Sequence, residues 1–293
     1  MKKICAIIVT FNRLELLRES IEALINQDYK LSKIIVVNNA STDGTNEYLL
    51  KIQKEYNELI VPIMLENNIG GAGGFYEGIK FAYKMNFDNY WIMDDDTIVR
   101  KDTLVNMLKS VEGEKYGFVC SHVLYKDNTP CVMNIPTLNK QWSDKISKGL
   151  IKVDSASFVS LLLNNEAIEK CGLPIKEFFI WGDDLEYTLR VSKNFNCYMS
   201  VNSTVTHKMG ENKGPDIVYE EGMRLERCKL EFRNKYYILK KNKNMMIYYR
   251  YIIKSIIKIL LRSENKKVIR IRILLSGFYK GVRFNPNVDY LSF

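Results

Sequence analysis

The feature that most constrains the fold is a regular alternation of short apolar segments and amphipathic segments in the N-terminal third of the chain. The apolar segments, which we predict to be buried strands, are Lys3–Val9, Lys33–Val37, Ile60–Leu65 and Tyr90–Met93. Between them lie segments with helical spacing of apolar residues, Leu14–Gln27, Asn46–Glu55 and Phe75–Met85. Repeated β-α units with continuously apolar strands predict an α/β fold, in which helices cover both faces of a mostly parallel sheet. Ligands of such sheets bind at the carboxyl ends of the strands.

The pattern continues less regularly through the rest of the chain. We predict further helices at Lys101–Val111, Asn164–Cys171 and Leu185–Lys193, and further strands at Tyr116–Tyr125, Val153–Leu163 and Cys197–Val201. The segment from Lys126 to Gly149 has no clear period and is interpreted as a flap or an acceptor loop. We place a catalytic domain at residues 1–232 and a helical, basic C-terminal region at residues 233–293.

The composition excludes several classes of protein. An apolar content of 46% over 293 residues supplies a large core, so the chain is not disordered. The six cysteines include no C-x-x-C pair, which argues against a zinc knuckle and a disulfide framework and favours the reducing cytoplasm. The apolar run at the N-terminus is short and is followed at once by Asn12-Arg13, so we interpret it as a first strand and not as a secretory signal.

Three consecutive carboxylates, Asp94, Asp95 and Asp96, follow the fourth predicted strand. Adjacent like charges repel each other unless a cation lies among them. Carboxylate oxygens suit Mg²⁺ or Mn²⁺, ions that commonly share their coordination with substrate phosphates. The triplet therefore indicates a divalent cation that carries a diphosphate, and a solvated acidic turn is the alternative.

A second polar loop, within Asn67–Phe75, places four glycines directly before a predicted helix. Glycine lets backbone amides approach a phosphate closely, and a helix N-terminus adds partial positive charge. The spacing matches neither a P-loop nor a dinucleotide fingerprint. On the glycines alone, a flexible turn and a phosphate-binding loop both remain open.

A second acidic group, Asp183-Asp184, follows an aromatic run that ends at Trp181 and stands at the start of a predicted helix. Adjacent carboxylates tend to push their pKa values apart, which suits a general base, whereas a helix-capping role is the structural alternative. His207 follows the last predicted strand and is either a metal ligand or a structural histidine. His122 lies inside a predicted strand and is interpreted as structural.

Together these motifs resemble the family 2 glycosyltransferases of the GT-A fold. The segments that carry the resemblance are Ile7–Arg13, Val36–Thr45 and the aspartate triplet, which takes the place of the family's D-x-D motif. A further set is most similar to bacterial galactofuranosyltransferases, and related rhamnosyltransferases share much of it: Asn68–Phe75, Trp181–Tyr187, His207 and Phe232–Asn234. The resemblance extends over roughly residues 1–240.

The resemblance implies a role for each matching residue. The implied nucleotide-sugar site consists of Thr10, Asn12, Arg13, Asn38, Asn68, Gly73, Gly74 and Asp95, with Asn38 facing the uracil at a position where the family commonly has Asp. The implied ligands of Mn²⁺ or Mg²⁺ are Asp94, Asp96 and His207. The implied catalytic base is Asp184, with Asp183 positioning acceptor hydroxyls and with Trp181 and Glu186 binding the sugar or the acceptor.

The implied reaction is an inverting single displacement that transfers galactofuranose from UDP-galactofuranose to a lipid-linked polysaccharide of the O-antigen or capsule type. The runner-up donor is dTDP-rhamnose. A catalytically inactive sugar-binding scaffold subunit is the non-enzyme alternative, although the retained acids argue against it. A nucleotidyltransferase is not expected, because the chain has no basic N-terminal signature for activating a triphosphate.

The net charge of +9 belongs to the C-terminal region, where residues 233–283 carry 15 Lys or Arg and a single acid, Glu264. Four of these cations, Arg250, Lys254, Lys258 and Arg262, recur at every fourth position and line one face of a predicted helix that is otherwise rich in Ile. No apolar run is long enough to span a bilayer. The pattern favours a helix that lies on an anionic membrane surface, and hence a peripheral protein on the inner face of the cell membrane.

A helical hairpin that packs on the catalytic domain, or that makes a homo-oligomer, is the alternative for this region. Nucleic acid is not an expected partner, because the aliphatic residues between the charges are a poor surface for stacking bases.

Overall fold

The computed structural model describes residues 2–291, which form two compact units. The first unit comprises residues 2–176, 184–212 and 288–291, and the second comprises residues 177–183 and 213–287. The strands are β1 (Ile4–Thr10), β2 (Lys33–Asn38), β3 (Ile60–Met64), β4 (Asn89–Asp94), β5 (Thr97–Val99), β6 (Phe118–Tyr125), β7 (Thr137–Leu138), β8 (Leu150–Ser155), β9 (Leu161–Asn164) and β10 (Tyr198–His207). The helices up to the second acidic pair are α1 (Leu14–Ile25), α2 (Thr45–Glu55), α3 (Gly70–Tyr83), α4 (Thr103–Ser110), α5 (Asn165–Cys171) and α6 (Asp183–Ser192).

The strands of the first unit form a sheet in the order β3-β2-β1-β4-β9-β6-β10-β8-β7, with β5 paired to β10. The four strands β3, β2, β1 and β4 are parallel, and β10 is parallel to β6. Strand β9 runs antiparallel between β4 and β6. The predicted α/β fold with a mostly parallel sheet is therefore confirmed. Because chain order reverses beside β1, the crevice at the carboxyl ends of β1 and β4 is the expected place for a ligand.

Alternate residues of β1 enter two hydrophobic cores, one on each face of the sheet. Cys5, Ile7 and Val9 belong to the core beneath α3, and Ile4, Ala6 and Ile8 belong to the core beneath α1. Side chains of a strand point to opposite faces in turn, so a strand buried on both faces is apolar throughout. This is the physical reason for the continuous apolar run at the N-terminus.

Helix α3 begins at Gly70, whereas the sequence predicted a start at Phe75. The glycines are therefore inside the first turns of the helix, and the interpretation of the segment as a flexible turn is wrong. A Cβ atom on Gly74 would lie 2.4 Å from Val9 Cγ1, and one on Gly78 would lie 2.6 Å from Ile7 Cγ2. These two glycines allow the helix to pack directly on β1.

Three further elements differ from the prediction. The segment Val153–Leu163 forms two strands, β8 and β9, because the chain turns between them with Ser160 at a φ of 58°. Strand β10 continues past Val201 through a register shift, so that His207 is its last residue and does not lie beyond it. Strand β5, directly after the aspartate triplet, was not predicted.

The second unit contains α7 (Gly222–Lys241), α8 (Met245–Arg262) and α9 (Lys267–Arg283). Its core includes Phe232 of α7, Ile259 of α8 and Leu274 of α9. The sequence-based boundary between residues 232 and 233 lies inside α7, whereas the second unit resumes at residue 213. None of the helices within residues 2–291 is both long enough and apolar enough to cross a membrane.

Candidate active site

The aspartate triplet lies in a tight connection at the carboxyl edge of the sheet. Asp94 ends β4, and Asp95 and Asp96 form the turn into β5. Strand β5 pairs antiparallel with β10, so that Thr97 lies opposite His207. This pairing brings Asp96 against His207 across a sequence separation of 111 residues.

Thr10, the last residue of β1, and Arg13, in the loop that follows, bind side chains of the triplet. The Thr10 hydroxyl donates a hydrogen bond of 2.8 Å to Asp95 Oδ2. Arg13 Nη1 lies 3.1 Å from Asp95 Oδ1 and 2.7 Å from Asp96 Oδ2. The guanidinium therefore bridges two buried carboxylates, and their charges raise the pKa of Arg13 although its burial opposes this.

His207 is buried, and both nitrogens of its ring have partners. Nε2 lies 3.0 Å from Asp96 Oδ1, and Nδ1 lies 2.8 Å from Asn134 Oδ1. Burial opposes the charged form of the ring, but the hydrogen bond to Asp96 and the nearby carboxylates raise the pKa of His207 to about 10. Asn134 was not predicted as a site residue, because it lies in the segment that showed no clear period.

The three neighbouring aspartates differ in pKa because their partners differ. Burial, and then the charge of Asp96, raise the pKa of Asp94 to about 6. Burial raises the pKa of Asp95 to about 7 although Arg13 lowers it. Burial also disfavours the charged form of Asp96, but its hydrogen bond with His207 and the charges of His207 and Arg13 lower its pKa below the ordinary value.

The residues predicted as metal ligands fit a divalent cation. One ligand atom from each of Asp94, Asp96 and His207 lies within 4.8 Å of the other two. The carboxylate of Asp94 has neither a hydrogen-bond nor an ion-pair partner within residues 2–291, so it is available to a cation. Two carboxylates and an imidazole are a donor set that Mn²⁺ and Mg²⁺ accept, and the imidazole favours Mn²⁺.

Asp184 belongs to the same unit as the triplet and lies close enough that its charge raises the pKa of Asp94. It occupies the first turn of α6, where the backbone N–H of Leu185 donates a hydrogen bond of 2.7 Å to its Oδ1. Burial raises the pKa of Asp184 to about 6 despite this bond. A half-buried carboxylate with such a pKa can accept a proton near neutral pH.

Several of the residues predicted to bind the nucleotide sugar hold the loops in place. Asn12 Oδ1 accepts a hydrogen bond of 2.7 Å from the backbone of Thr42. Asn38 is buried, and its Oδ1 accepts a bond of 3.1 Å from the backbone of Ser41. Asn68 Oδ1 accepts from the backbone N–H of Gly70 at 2.9 Å. The amide oxygen of Asn38, the residue that the resemblance places opposite the uracil, thus already accepts one hydrogen bond within the loop.

The remaining predicted nucleotide residues, Gly73 and Gly74, both lie in the tightly packed start of α3. A Cβ on Gly73 would lie 2.7 Å from Ile69 Cγ1, which is a close contact within that helix start. Their contact with a phosphate stays a prediction, as does the contact of Asn38 with a base.

Glu186 has a structural partner in α6. Its carboxylate accepts two hydrogen bonds from Arg190, of 3.0 Å from Nε and 2.8 Å from Nη2. Arg190 also donates to the backbone oxygen of Leu173 at 3.0 Å. Binding of the acceptor by Glu186 stays a prediction, and such binding would compete with this ion pair.

Within the second unit, the residues that precede Asp184 form a backbone-strained loop. Phe179 and Trp181 have φ values of 65° and 64°, which side-chain-bearing residues adopt at a cost of about 1–3 kcal/mol each. Asn234 Nδ2 lies 3.1 Å from the backbone oxygen of Phe178, 3.0 Å from that of Ile180 and 2.8 Å from that of Trp181. Asn234 therefore stabilises the conformation of the loop that carries Trp181 and ends at the buried Asp183.

Comparison with known proteins identifies the family. The family model described as Glycosyl transferase family 2 matches residues 5–154, just over half of the chain. The chain belongs to glycosyltransferase family 2.

The names of two relatives of this glycosyltransferase refer to different sugars. It is 26% identical over 214 residues to the galactofuranosyltransferase GlfT1 of Mycolicibacterium smegmatis. The matched region covers 65% of this chain and 66% of GlfT1. It is 27% identical over 139 residues to the poly-beta-1,6-N-acetyl-D-glucosamine synthase of Staphylococcus aureus. This matched region covers 47% of the chain and 32% of the synthase. The glycosyltransferase thus spans less than two thirds of the length of either relative.

A solved structure supports the fold. The crystal structure of GalNAc-T7 with UDP, GalNAc and Mn²⁺ superposes on this chain with a TM-score of 0.63 and 12% sequence identity. The superposed region covers 82% of this chain and 48% of the GalNAc-T7 chain. The predicted resemblance to GT-A family 2 glycosyltransferases, including a galactofuranosyltransferase, is therefore confirmed at the level of family and fold.

Proposed function

We propose that this glycosyltransferase is an inverting, cation-dependent enzyme that transfers galactofuranose from UDP-galactofuranose to a lipid-linked polysaccharide. One observation carries the proposal: the Asp94–Asp96–His207 group, which suits a divalent cation, lies within electrostatic reach of Asp184, which suits a general base. The choice of galactofuranose rests on the similarity to GlfT1, and the motif from Trp181 to Tyr187 supports it.

In the proposed reaction an acceptor hydroxyl attacks the anomeric carbon of the donor, the bond from that carbon to the diphosphate breaks, and UDP leaves. Asp184 takes the proton of the hydroxyl as the new glycosidic bond forms. Asp94, Asp96 and His207 would hold Mn²⁺ or Mg²⁺, which when bound neutralises charge on the departing diphosphate. Asp183 is proposed to orient the acceptor hydroxyls and Trp181 to contact the sugar ring.

The residues at the end of β1 have a supporting task in this proposal. Arg13 is a permanent cation, because an arginine side chain does not lose its proton in proteins. Its bonds to Asp95 and Asp96 keep the negative charge of the turn balanced, and the Thr10 hydroxyl fixes the orientation of Asp95. Asp95 is proposed to face the ribose or the donor sugar when its bond with Arg13 is exchanged for a bond with the ligand.

The surface of the second unit supports the proposed acceptor and location. Helix α8 has exposed apolar residues, among them Ile253 and Ile257, beside the exposed cations Arg250 and Lys254. A helix of this kind binds anionic membranes through both apolar burial and charge. We therefore propose a peripheral protein on the inner face of the cell membrane, where a lipid-linked acceptor is within reach.

A donor assay with a matched variant tests the proposed function. Wild-type protein and Asp184→Asn are incubated with Mn²⁺, a lipid-linked acceptor and, in separate reactions, UDP-galactofuranose, dTDP-rhamnose and UDP-N-acetylglucosamine. We expect wild-type transfer to be roughly tenfold or more faster with UDP-galactofuranose than with either other donor. Asp184→Asn should lower transfer by about 10²–10⁴-fold while donor binding is retained, because only the proton acceptor is lost.

Each other outcome points to a defined alternative. Preference for dTDP-rhamnose would make the protein a rhamnosyltransferase, and preference for UDP-N-acetylglucosamine would align it with the staphylococcal relative. Donor binding without transfer by the wild type, in the presence of Mn²⁺, would indicate a sugar-binding scaffold subunit. Unchanged turnover after addition of EDTA would contradict the cation dependence.

A further inference from the structure

His207 is held from both sides by groups that accept hydrogen bonds. Asp96 Oδ1 lies 3.0 Å from Nε2, and Asn134 Oδ1 lies 2.8 Å from Nδ1. The amide of Asn134 has a defined orientation, because its Nδ2 donates a hydrogen bond of 2.8 Å to the Ser157 hydroxyl. The carbonyl end of the amide therefore faces the histidine.

The backbone around Asn134 is fixed by the sheet. Cys131 donates its backbone N–H to Val123 of β6 at 3.1 Å, and the backbone N–H of Asn134 donates to the Cys131 oxygen at 3.0 Å. β6 is paired with β10, which ends at His207. The short helical turn at 132–134 is thus attached to β6, and it places Asn134 next to the end of β10, where His207 lies.

A second neighbour of Nδ1 is a weaker acceptor for its proton than the Asn134 carbonyl, because a thiol sulfur accepts hydrogen bonds poorly. The Cys131 sulfur lies 3.7 Å from Nδ1, and its thiol is placed to donate to the sulfur of Met209 at 3.4 Å. A proton on Nδ1 therefore has one good acceptor, the Asn134 carbonyl.

An imidazole binds a cation through a nitrogen that carries no proton. If Nε2 turns its lone pair to a cation beside Asp94 and Asp96, the ring proton must reside on Nδ1, where Asn134 accepts it. We propose that Asn134 is a positioning residue of the cation site, which holds His207 in the Nδ1–H form and fixes its ring so that Nε2 faces the two aspartates. This inference rests on the cation part of the proposed function and is independent of the donor sugar.

Binding of Mn²⁺ alone to the full chain tests the inference, with free Mn²⁺ measured by electron paramagnetic resonance. We expect Asn134→Ala to weaken Mn²⁺ binding by about 10–100-fold, the usual effect of removing the partner of a metal-bound histidine. Asn134→Asp keeps an acceptor of the same shape and should retain binding at or above the wild-type level. Asn139→Ala is the matched control, since Asn139 lies in the same segment but donates to Asp154, and should leave binding unchanged.

Binding by Asn134→Ala within about threefold of the wild type would overturn the inference, because the loss expected for such a partner is at least tenfold. If the wild type itself does not bind Mn²⁺, the cation site fails and the inference fails with it. If the wild type binds Mn²⁺ but transfers no galactofuranose, the donor assignment fails and the inference is still decided by the variants.

Nuclear magnetic resonance of protein with ¹⁵N-labelled histidine gives a second readout that needs only the wild type. With Zn²⁺ as a diamagnetic probe, the His207 ring should show a protonated Nδ1 and a metal-bound Nε2. His122, the only other histidine in the sequence, serves as the internal reference. A spectrum with the proton on Nε2 and the metal on Nδ1 would contradict the proposed role of Asn134 even if Asn134→Ala failed to fold.

Discussion

The acids of the candidate site differ in pKa although each is an aspartate. Asp96 has two cationic partners, Arg13 and His207, and its pKa is lowered. Burial raises the pKa of Asp184 to about 6, and only backbone N–H groups, among them that of Leu185, oppose this. The lowered pKa suits Asp96 to a charged ligand, and the raised pKa suits Asp184 to a base that takes up a proton. Asp94, the other proposed carboxylate ligand, has a pKa raised to about 6 like Asp184, so a bound cation would have to keep it ionised.

The raised pKa of Asp184 predicts the pH dependence of transfer. A base works only when it is deprotonated, so kcat should fall about tenfold per pH unit below about pH 6 and level off above it. The measurement is kcat against pH at saturating Mn²⁺ and donor, where the bound cation keeps Asp94 ionised. In Asp184→Asn the residual rate should lose this acidic limb, and a wild-type rate that is flat from about pH 5 to pH 7 would contradict the assignment.

At the scale of single residues, the sequence indicated the acids but not their partners. The triplet was recognisable because three adjacent like charges repel each other unless a cation lies among them. Asn134 carried no such signal, because it is an ordinary polar residue whose role depends on the turn that carries it. Asn38 and Glu186 show that a predicted site residue can already have a partner, since their side chains are paired with the Ser41 backbone and with Arg190. The Glu186–Arg190 pair has the i,i+4 spacing of a helical ion pair, whereas the Asn38 contact depends on the fold of its loop.

At the scale of elements, the contact between α3 and β1 decides how close the helix lies to the strand that ends in Thr10. Gly74 and Gly78 are one helical turn apart, and each faces a β-branched residue of β1. Gly71, in the same helix, would have open space around an added Cβ. The two kinds of glycine therefore respond differently to the same substitution.

We predict that Gly78→Ala lowers the stability of the protein and that Gly71→Ala does not. The new methyl group at residue 78 must displace Ile7, and such overpacking costs about 1–3 kcal/mol. At residue 71 the same change gains up to about 1 kcal/mol of helix propensity. Thermal unfolding of both variants, followed by circular dichroism without nucleotide, should give midpoints on opposite sides of the wild type. A Gly78→Ala midpoint at or above that of Gly71→Ala would contradict the packing argument.

The strands that were predicted best are those buried on both faces, because β1, β2 and β4 are apolar without interruption. The errors arose where tertiary contacts decide the structure. The helix propensity of glycine is low, so the start of α3 at Gly70 could not be predicted from its local sequence. The break between β8 and β9 depends on Ser160, whose hydroxyl lies 3.0 Å from the Trp91 ring nitrogen. β5 is held by its pairing with β10, which local sequence does not specify.

At the scale of the whole molecule, the charge of the chain is unevenly distributed. Of the 43 Lys and Arg, 15 lie in residues 233–283, where a single acid accompanies them. The cations that were predicted to share one face of α8 differ in whether they form ion pairs. Lys258 is paired with Asp216, whereas Arg250 and Lys254 are exposed and have no ion-pair partner within residues 2–291. The same holds for Arg262, so the proposed membrane surface depends on Arg250, Lys254 and Arg262 and not on Lys258.

Vesicle flotation of the full chain tests this surface. The double variant Arg250→Gln/Lys254→Gln removes about 2 kcal/mol of attraction and should weaken binding to anionic vesicles roughly 30-fold, whereas Lys258→Gln should change it less. Ile253 and Ile257 are 56% and 49% exposed, so Ile253→Ser/Ile257→Ser should also weaken binding by removing apolar burial. Leu50→Ser, at a 52% exposed position of α2 in the first unit, is the control and should bind like the wild type. Equal binding of all variants, or equal binding to zwitterionic and anionic vesicles, would contradict membrane attachment through α8, since both the charge and the apolar face are required for it.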